Sequence, residues 1–204
     1  MKKNISLVDF GAGNLHSVYK AFNFIGAKAN ITRDPKVILK SDAVVFPGVG
    51  AFGSVMKAIR KYDLEDTIIK SANSEKPFLG ICVGMQVLFE ESEEDEEIKG
   101  LGVFKGLVTK FKIAKKIPHT GWNNVSYFSP ERNGYGFDDE VFYFVHSYYV
   151  APKDDSVVYA TTTYDGEIFT SVIKKNNLIA VQFHPEKSGD AGLQFLESFV
   201  GEIE

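Results

Sequence analysis

The sequence predicts an α/β protein, a single domain in which helices flank a central, largely parallel mixed sheet. In the first half of the chain, short apolar runs alternate with segments that repeat apolar residues at helical spacing, which is typical of a parallel sheet. In the second half, apolar runs follow one another with turn-forming residues between them, which predicts antiparallel strands. A chain of 204 residues fits one domain, so we assign residues 1–204 to it.

The first half contains four predicted strands and four predicted helical segments. The strands cover residues 5–10, 29–32, 43–46 and 77–81, and the helical segments cover residues 15–25, 53–59, 64–72 and 83–91. The first helix has the clearest pattern, because Leu15, Val18 and Phe22 fall on one face and Gly26 is placed to end it.

The second half contains six predicted strands and a closing helix. The strands cover residues 107–113, 124–128, 141–150, 157–164, 168–174 and 178–183, and the helix covers residues 190–200. Asp165-Gly166 and Asn176-Asn177 predict tight hairpins, and Asn133-Gly134 predicts another turn.

Composition excludes several classes of function. The chain has 23 basic and 27 acidic side chains, and a net charge of −4 argues against binding to nucleic acid. No apolar run approaches the ~18 residues that a membrane-spanning helix needs, so we expect no membrane insertion. A single cysteine forms no intrachain disulfide, which favours a reducing compartment. We therefore expect a soluble, cytoplasmic protein.

The sequence also lacks the usual signals for metals and nucleotide cofactors. One cysteine and scattered histidines offer no zinc-ligand spacing, and we expect no metal and no cofactor. Gly11-Ala12-Gly13 begins like a dinucleotide fingerprint, but His16 stands where its third glycine would be. The acidic run at residues 90–97 is consecutive rather than spaced like cation ligands, so we interpret it as a solvated helix end and loop.

The most informative residue is Cys82, which follows a predicted strand and precedes a helical segment. Gly80 and Gly84 flank it in the pattern G-x-C-x-G, the cysteine form of the nucleophile elbow. The sharp turn requires small neighbours, and a nearby helix N-terminus favours the thiolate that attacks. The backbone N–H of Val83 can donate to an oxyanion at the same place. A lone cysteine is more often a buried structural residue, but the two glycines reverse that preference.

The base predicted for this nucleophile is His184. It follows a strand, as Cys82 does, and functional groups gather at the carboxyl ends of parallel strands. Glu186 lies two residues further on, with the stiff Pro185 between them, and can hold the imidazole in one tautomer. Either residue alone is unremarkable, but with Cys82 they predict a catalytic triad.

Residues 80–86 (GICVGMQ) and 183–186 (FHPE) together resemble the class I, triad-type glutamine amidotransferases, which implies their flavodoxin-like fold. Four further segments resemble the glutaminase subunits of imidazole glycerol phosphate synthases within that family. These segments are residues 9–14 (DFGAGN), 47–52 (PGVGAF), 118–123 (PHTGWN) and 143–149 (YFVHSYY). Two positions depart from the pattern: Thr120 stands where Met is usual, and Val83 where Leu is frequent.

The resemblance implies that the chain hydrolyses L-glutamine through a Cys82 thioester, with His184 moving protons. It implies an oxyanion hole and a set of substrate contacts beside the nucleophile. The oxyanion hole would comprise Val49, Gly50 and Val83, and the substrate contacts would be Gly48, Gly50, Gln86, Ser147 and Tyr148. His146 lies in the same segment and is not expected to be catalytic.

The resemblance further implies a heterodimer in which ammonia passes to a (β/α)₈ barrel cyclase subunit, in L-histidine biosynthesis. The residues expected to face that partner are Asn14, Trp122, Asn123 and Lys187. Three alternatives remain open at this point. The chain could feed ammonia to a different synthase, for example one that makes surface sugars, could be a stand-alone cysteine hydrolase, or could be a non-catalytic scaffold on the same fold.

Overall fold

In the computed structural model, residues 3–11, 13–128, 134–137 and 140–203 are described. The strands are β1 (Asn4–Val8), β2 (Lys28–Thr32), β3 (Ala43–Gly48), β4 (Phe78–Cys82), β5 (Phe89–Ser92), β6 (Phe104–Lys110), β7 (His119–Asn124), β8 (Ser126–Tyr127), β9 (Val141–His146), β10 (Tyr148–Pro152), β11 (Val158–Tyr164), β12 (Glu167–Lys175) and β13 (Leu178–Val181). The helices are α1 (Leu15–Phe24), α2 (Pro35–Lys40), α3 (Phe52–Lys61), α4 (Glu65–Ala72), α5 (Val83–Gln86) and α6 (Gly189–Gly201).

Eleven of these strands form one mixed sheet, which confirms the predicted α/β class. Strands β2, β1, β3, β4 and β13 are parallel neighbours in that order. Strands β12, β10 and β6 continue the sheet with antiparallel pairing, and β5 ends it alongside β6 in parallel. Strands β7 and β9 form a separate antiparallel pair. The carboxyl ends of β3, β4 and β13 therefore lie side by side, which is where the predicted site residues begin.

Apolar side chains cover both faces of the large sheet. One buried cluster includes Leu7, Phe22 and Phe199, which join β1 to helices α1 and α6. The other includes Phe46 and Met56, which join β3 to helix α3. Burial on both faces explains the continuous apolar runs of the parallel strands. Within the described residues, no helix combines the length and apolar character needed to cross a membrane.

The two predicted hairpins are present. Asp165 and Gly166 both have positive φ, at 49° and 86°, between β11 and β12, and Asn176 has φ 52° between β12 and β13. Such values suit the two-residue turns that match the twist of antiparallel strands. Of the third predicted turn, Asn133 lies outside the described residues.

Two predictions of local structure from the sequence are wrong, and one helix was not predicted. The helical segment after Cys82 ends at Gln86 instead of residue 91, because Phe89–Ser92 pairs with β6 as a strand. The predicted strand at residues 141–150 is two strands in different sheets, divided at Ser147. The short helix Pro35–Lys40 was not predicted from the sequence at all, although Asp34 caps it by accepting from Lys36 N. In the first two cases tertiary pairing overrides the local pattern.

Candidate active site

Cys82 occupies the tight turn that its sequence context predicts. Strand β4 ends at this residue and helix α5 begins at the next, and Cys82 has φ 55° and ψ −114°. A Cβ on Gly84 would lie 2.0 Å from the Phe46 carbonyl oxygen, and one on Gly80 would lie 2.9 Å from the Ala180 Cβ. Both flanking positions therefore exclude larger side chains. Backbone strain of this kind is characteristic of functional turns.

His184 and Glu186 form a buried hydrogen-bonded pair. The imidazole Nδ1 lies 2.9 Å from Glu186 Oε1, and both side chains are about 1% exposed. The backbone around them is anchored as well, because Ser188 Oγ donates to the His184 carbonyl at 2.7 Å. Since Glu186 accepts at Nδ1, the other ring nitrogen, Nε2, is the one free to serve a reacting group. Among the described residues, His184 Nε2 has no hydrogen-bond partner.

Charge dominates the protonation of His184. Burial alone lowers its pKa, but the neighbouring Cys82 thiolate and the Glu186 carboxylate outweigh that effect and raise the pKa to about 10. After burial, the interaction with Cys82 is the largest influence on this pKa, and the hydrogen bond to Glu186 adds to it. The raised pKa favours the protonated imidazole, which can donate a proton to a group that reacts beside Cys82.

A cavity of about 310 Å³ opens directly over Cys82. It is lined by Val49, Gly50, Cys82, Val83, Gln86, Glu94, Pro118, Val145, His146, Ser147, Tyr148 and His184. The structure therefore brings two members of the predicted triad together with most of the predicted oxyanion and substrate residues. Its volume suits an amino acid rather than a macromolecule.

The predicted oxyanion segment runs beside the nucleophile. Gly48 is the register partner of Cys82 across β3 and β4. A Cβ at Gly48 would lie 2.3 Å from Val83 Cγ1, so this close approach of the two strand ends requires glycine. Gly50 has φ 127°, a value that also favours glycine, and Val49 is 36% exposed at the cavity rim.

Gln182 is a residue that the sequence reasoning missed. Its side chain is fully buried, with Nε2 3.6 Å from Cys82 Sγ and Oε1 accepting from Gln86 Nε2 at 3.0 Å. Gln86 also donates to the Tyr148 carbonyl at 2.9 Å. The available signal was a single polar side chain inside the apolar run of residues 178–183.

Glu94 is a second missed residue, and it corrects the interpretation of the acidic run. Glu94 Oε2 accepts from Phe52 N at 2.7 Å and the side chain lines the cavity. Its neighbour Glu93 accepts from Thr109 Oγ1 at 2.6 Å and from Lys110 N at 2.8 Å. These two carboxylates therefore have specific partners instead of forming a solvated helix end, and Glu94 adds negative charge to the cavity.

Two of the four predicted partner-facing residues, Trp122 and Lys187, lie against the same side chain, Tyr143. Trp122 is 55% exposed and packs edge-on against Tyr143, with ring centroids 6.1 Å apart. The Lys187 ammonium lies 5.7 Å from the centroid of the same Tyr143 ring. Asn123 follows Trp122 in β7 and donates to the Thr163 carbonyl at 2.9 Å. Asn14 precedes α1 and makes no side-chain cap.

Comparisons with known proteins agree with this architecture. Residues 6–203 match the family model described as glutamine amidotransferase class-I. Imidazole glycerol phosphate synthase subunit HisH of Methanothermobacter thermautotrophicus is 46% identical, covering 96% of this chain and 97% of that protein. The subunit of the same name from Methanocaldococcus jannaschii is 48% identical, covering 96% and 98%.

Solved structures agree on the fold. A crystal structure of a glutamine amidotransferase superposes with a TM-score of 0.71 at 20% identity, covering 97% of this chain and 98% of that one. The structure of PurLQS from Thermotoga maritima gives a TM-score of 0.76 at 18% identity, with full coverage of both chains. Given the near-complete match to the family model and to relatives above 45% identity, this chain belongs to the class I glutamine amidotransferase family.

Proposed function

We propose that the chain is the glutaminase subunit of an imidazole glycerol phosphate synthase, and that it hydrolyses L-glutamine to glutamate and ammonia. The observation that carries the proposal is the buried His184–Glu186 pair beside Cys82, at a cavity of amino-acid size. Family membership supports the reaction class, and the printed names of the near full-length relatives support the synthase.

Catalysis would proceed in two halves. In the first, the Cys82 thiolate attacks the side-chain amide carbon of glutamine, forming a C–S bond and moving the carbonyl electrons onto oxygen. The N–H groups of Val83 and of the Val49–Gly50 segment would stabilise that oxyanion. His184 Nε2 then gives its proton to the departing nitrogen, the C–N bond breaks, and ammonia leaves a thioester.

In the second half, water replaces ammonia. Now neutral, His184 takes a proton from the water as its oxygen attacks the thioester carbon. Collapse of the second tetrahedral intermediate breaks the C–S bond, which releases glutamate and restores the thiolate. Glu186 keeps Nδ1 protonated throughout, so that Nε2 alone exchanges protons with the substrate.

Substrate recognition would use the polar lining of the cavity. Glu94 is the carboxylate among the lining residues, and it suits the α-ammonium group of an amino acid. We assign the remaining contacts to the Gln86 side chain and to backbone at Gly48, Gly50, Ser147 and Tyr148. Gly48 borders Cys82 through β-pairing, although it does not line the cavity itself.

The ammonia would pass to a (β/α)₈ barrel cyclase subunit that closes the imidazole ring in L-histidine biosynthesis. The exposed Trp122 ring is the type of aromatic side chain that anchors protein interfaces, and Lys187 is an exposed cation beside it. We assign Asn14, Trp122, Asn123 and Lys187 to this interface. A cytoplasmic location would keep the Cys82 thiol reduced.

The test is glutamate release from L-glutamine by the purified chain, alone and with a barrel cyclase and that cyclase's ligand. We expect turnover that rises when the partner is added and disappears in Cys82→Ala. Trp122→Ala removes the exposed aromatic ring, and it should weaken the stimulation of turnover by the partner. Full turnover without any partner would favour a stand-alone hydrolase, and stimulation by a different synthase alone would replace the assigned partner.

A further inference from the structure

Two buried histidines outside the proposed triad face each other across the β7–β9 pair. His119 and His146 are register partners, are 2% and 6% exposed, and have His119 Nδ1 3.1 Å from His146 Nε2. Aromatic rings enclose both: His119 stacks on Tyr164 at 4.0 Å between centroids, and His146 lies 5.1 Å from the Phe169 ring. Neither histidine takes part in the chemistry proposed above.

The hydrogen bonds of this pair have only one consistent direction. His146 Nδ1 lies 2.8 Å from the Tyr148 carbonyl, which only accepts, so Nδ1 carries a proton. Burial lowers the pKa of His146 to about 3 and that of His119 to about 4, so both rings are neutral near pH 7. His146 Nε2 must then accept, and His119 Nδ1 must donate to it.

The outer end of this chain of hydrogen bonds agrees with that direction. His119 Nε2 is left as an acceptor, and Asn123 Nδ2 lies 3.3 Å from it. The Asn123 amide is oriented independently, because its Nδ2 donates to the Thr163 carbonyl and its Oδ1 accepts from Asn124 N at 2.8 Å. Donors therefore run from Asn123 through His119 and His146 to the Tyr148 carbonyl.

The inner end of the chain reaches the nucleophile. The Tyr148 carbonyl accepts from Gln86 Nε2 as well as from His146, and Gln86 also donates to Gln182 Oε1. Gln182 in turn directs its Nε2 toward Cys82 Sγ. These contacts lie at the start of β10, where Tyr148 pairs with Lys110 of β6 and Phe111 N donates to the Ser147 carbonyl at 3.4 Å, so the histidine hydrogen bond adds to the sheet pairing at this end of the strand.

We propose that the His119–His146 pair is a positioning element for the glutamine site. By donating to the Tyr148 carbonyl, the pair helps to orient that carbonyl and, through it, the amides of Gln86 and Gln182. This inference rests on the proposed glutaminase function. It assigns to both histidines a role in substrate binding that acts through other residues and leaves the proton transfers to His184.

Steady-state kinetics of the complex with its barrel partner test the proposal. His146→Leu removes the hydrogen-bond donor to the Tyr148 carbonyl. Because one hydrogen bond is lost, we expect the KM for glutamine to rise about tenfold while kcat stays nearly unchanged. His146→Asn places an amide donor near the Nδ1 position and should restore much of the affinity. His119→Phe keeps the ring stacking but removes the donor to His146 Nε2, which holds the His146 ring in place, and should raise KM about threefold.

Phe144→Leu is the control for structural damage. Phe144 stacks on His119 at 4.8 Å between centroids but makes none of these hydrogen bonds, so its loss should lower Tm and leave KM unchanged. An unchanged KM in a folded His146→Leu complex would overturn the proposal. Equal rises in KM for Phe144→Leu and His119→Phe would assign the effect to packing and would also overturn it.

Nitrogen-15 spectra of the imidazoles provide a readout that does not depend on turnover. We expect His119 and His146 to carry their protons on Nδ1 in the wild type, and His146 to keep its proton on Nδ1 in His119→Phe, because the Tyr148 carbonyl still accepts it. An Nε2–H form of His146 in the wild type would contradict the proposed direction. If these tautomers are observed but the wild type does not hydrolyse glutamine, the glutaminase function is wrong and the direction of the hydrogen bonds is still supported.

Discussion

His184 and the His119–His146 pair are buried to a similar degree, but their pKa values are shifted in opposite directions. His184 is 1% exposed and has its pKa raised to about 10, whereas the paired histidines have theirs lowered to about 4 and 3. Burial disfavours the charged form in all three. His184 has Cys82 and the Glu186 carboxylate beside it, and both raise its pKa, while the pair has aromatic rings, a carbonyl and neutral amides as neighbours. Neighbouring charge, and not depth, therefore separates the histidine that we propose for proton transfer from the two that we propose for positioning.

The largest expected effect comes from removing the carboxylate that distinguishes the two regions. Glu186→Gln keeps the size of the side chain but not its charge, and its amide can turn a donor toward Nδ1. We expect turnover of glutamine to fall on the order of a thousandfold, with the fold intact. Steady-state kinetics measure this, and circular dichroism supplies the control. Retained turnover would mean that Glu186 does not orient His184.

The pH dependence of stability provides the second contrast. The folded pKa values of His119 and His146 lie below the ordinary value of 6.5, so the unfolded chain binds more protons as pH falls below 6.5. Stability is then lost from pH 6.5 down to about 4, at about 1.4 kcal/mol per pH unit for each proton taken up only on unfolding.

Replacing both rings should remove that loss. In the double variant His119→Phe/His146→Phe, the free energy of unfolding should depend less on pH between 6.5 and 4 than in the wild type, as measured by urea titration. An unchanged slope would show that the pair is protonated in the fold. For His184 the sign is opposite, because its raised pKa gives stability that is present below pH 6.5 and lost as pH rises toward 10.

A steric change tests the catalytic region without altering its charge. Gly84→Ala would bring a Cβ to 2.0 Å from the Phe46 carbonyl oxygen, so we expect a loss of about 3 kcal/mol of stability together with turnover. Gly201→Ala is the matched control, since no atom lies within 4 Å of that Cβ and its φ is unexceptional. Denaturant melts compare the two. Equal stability of both variants would show that the turn at Cys82 is less crowded than described.

The smallest expected effect lies in the packing around the pair. Tyr164→Leu removes a ring that stacks on His119 and a hydroxyl that donates to the Lys116 carbonyl at 2.9 Å. We expect a loss of about 1–2 kcal/mol in the free energy of unfolding, without a change in kcat. A large fall in kcat would mean that the surroundings of His119 affect the proton transfers, and would contradict the separate roles that we propose for His184 and for the His119–His146 pair.

The sequence was sufficient where function depends on local geometry. The spacing of Gly80, Cys82 and Gly84 predicts the tight turn, because a strained backbone excludes side chains at fixed positions along the chain. His184 and Glu186 are two residues apart, so their pairing is also a local property. The alternation of strands and helices predicts the parallel part of the sheet for the same reason.

The sequence was insufficient where partners come from distant strands. His119 and His146 meet only because β7 and β9 pair in one register, and a shift of one residue would separate them. Gln182 reaches Cys82 across neighbouring strands β13 and β4. Glu94 lines the cavity because it follows β5, a strand that pairs with β6, whereas the local pattern predicted a helix up to residue 91.

The most direct test of the account is a nitrogen-15 titration of the histidine side chains between pH 5 and 10, with the single variants His119→Phe and His184→Gln for assignment. We predict that His184 remains doubly protonated at pH 8, and that His119 and His146 remain neutral at pH 5 with their protons on Nδ1. A neutral His184 at pH 6, or a charged His119 or His146 at pH 6, would contradict the conclusion that neighbouring charge separates the two roles.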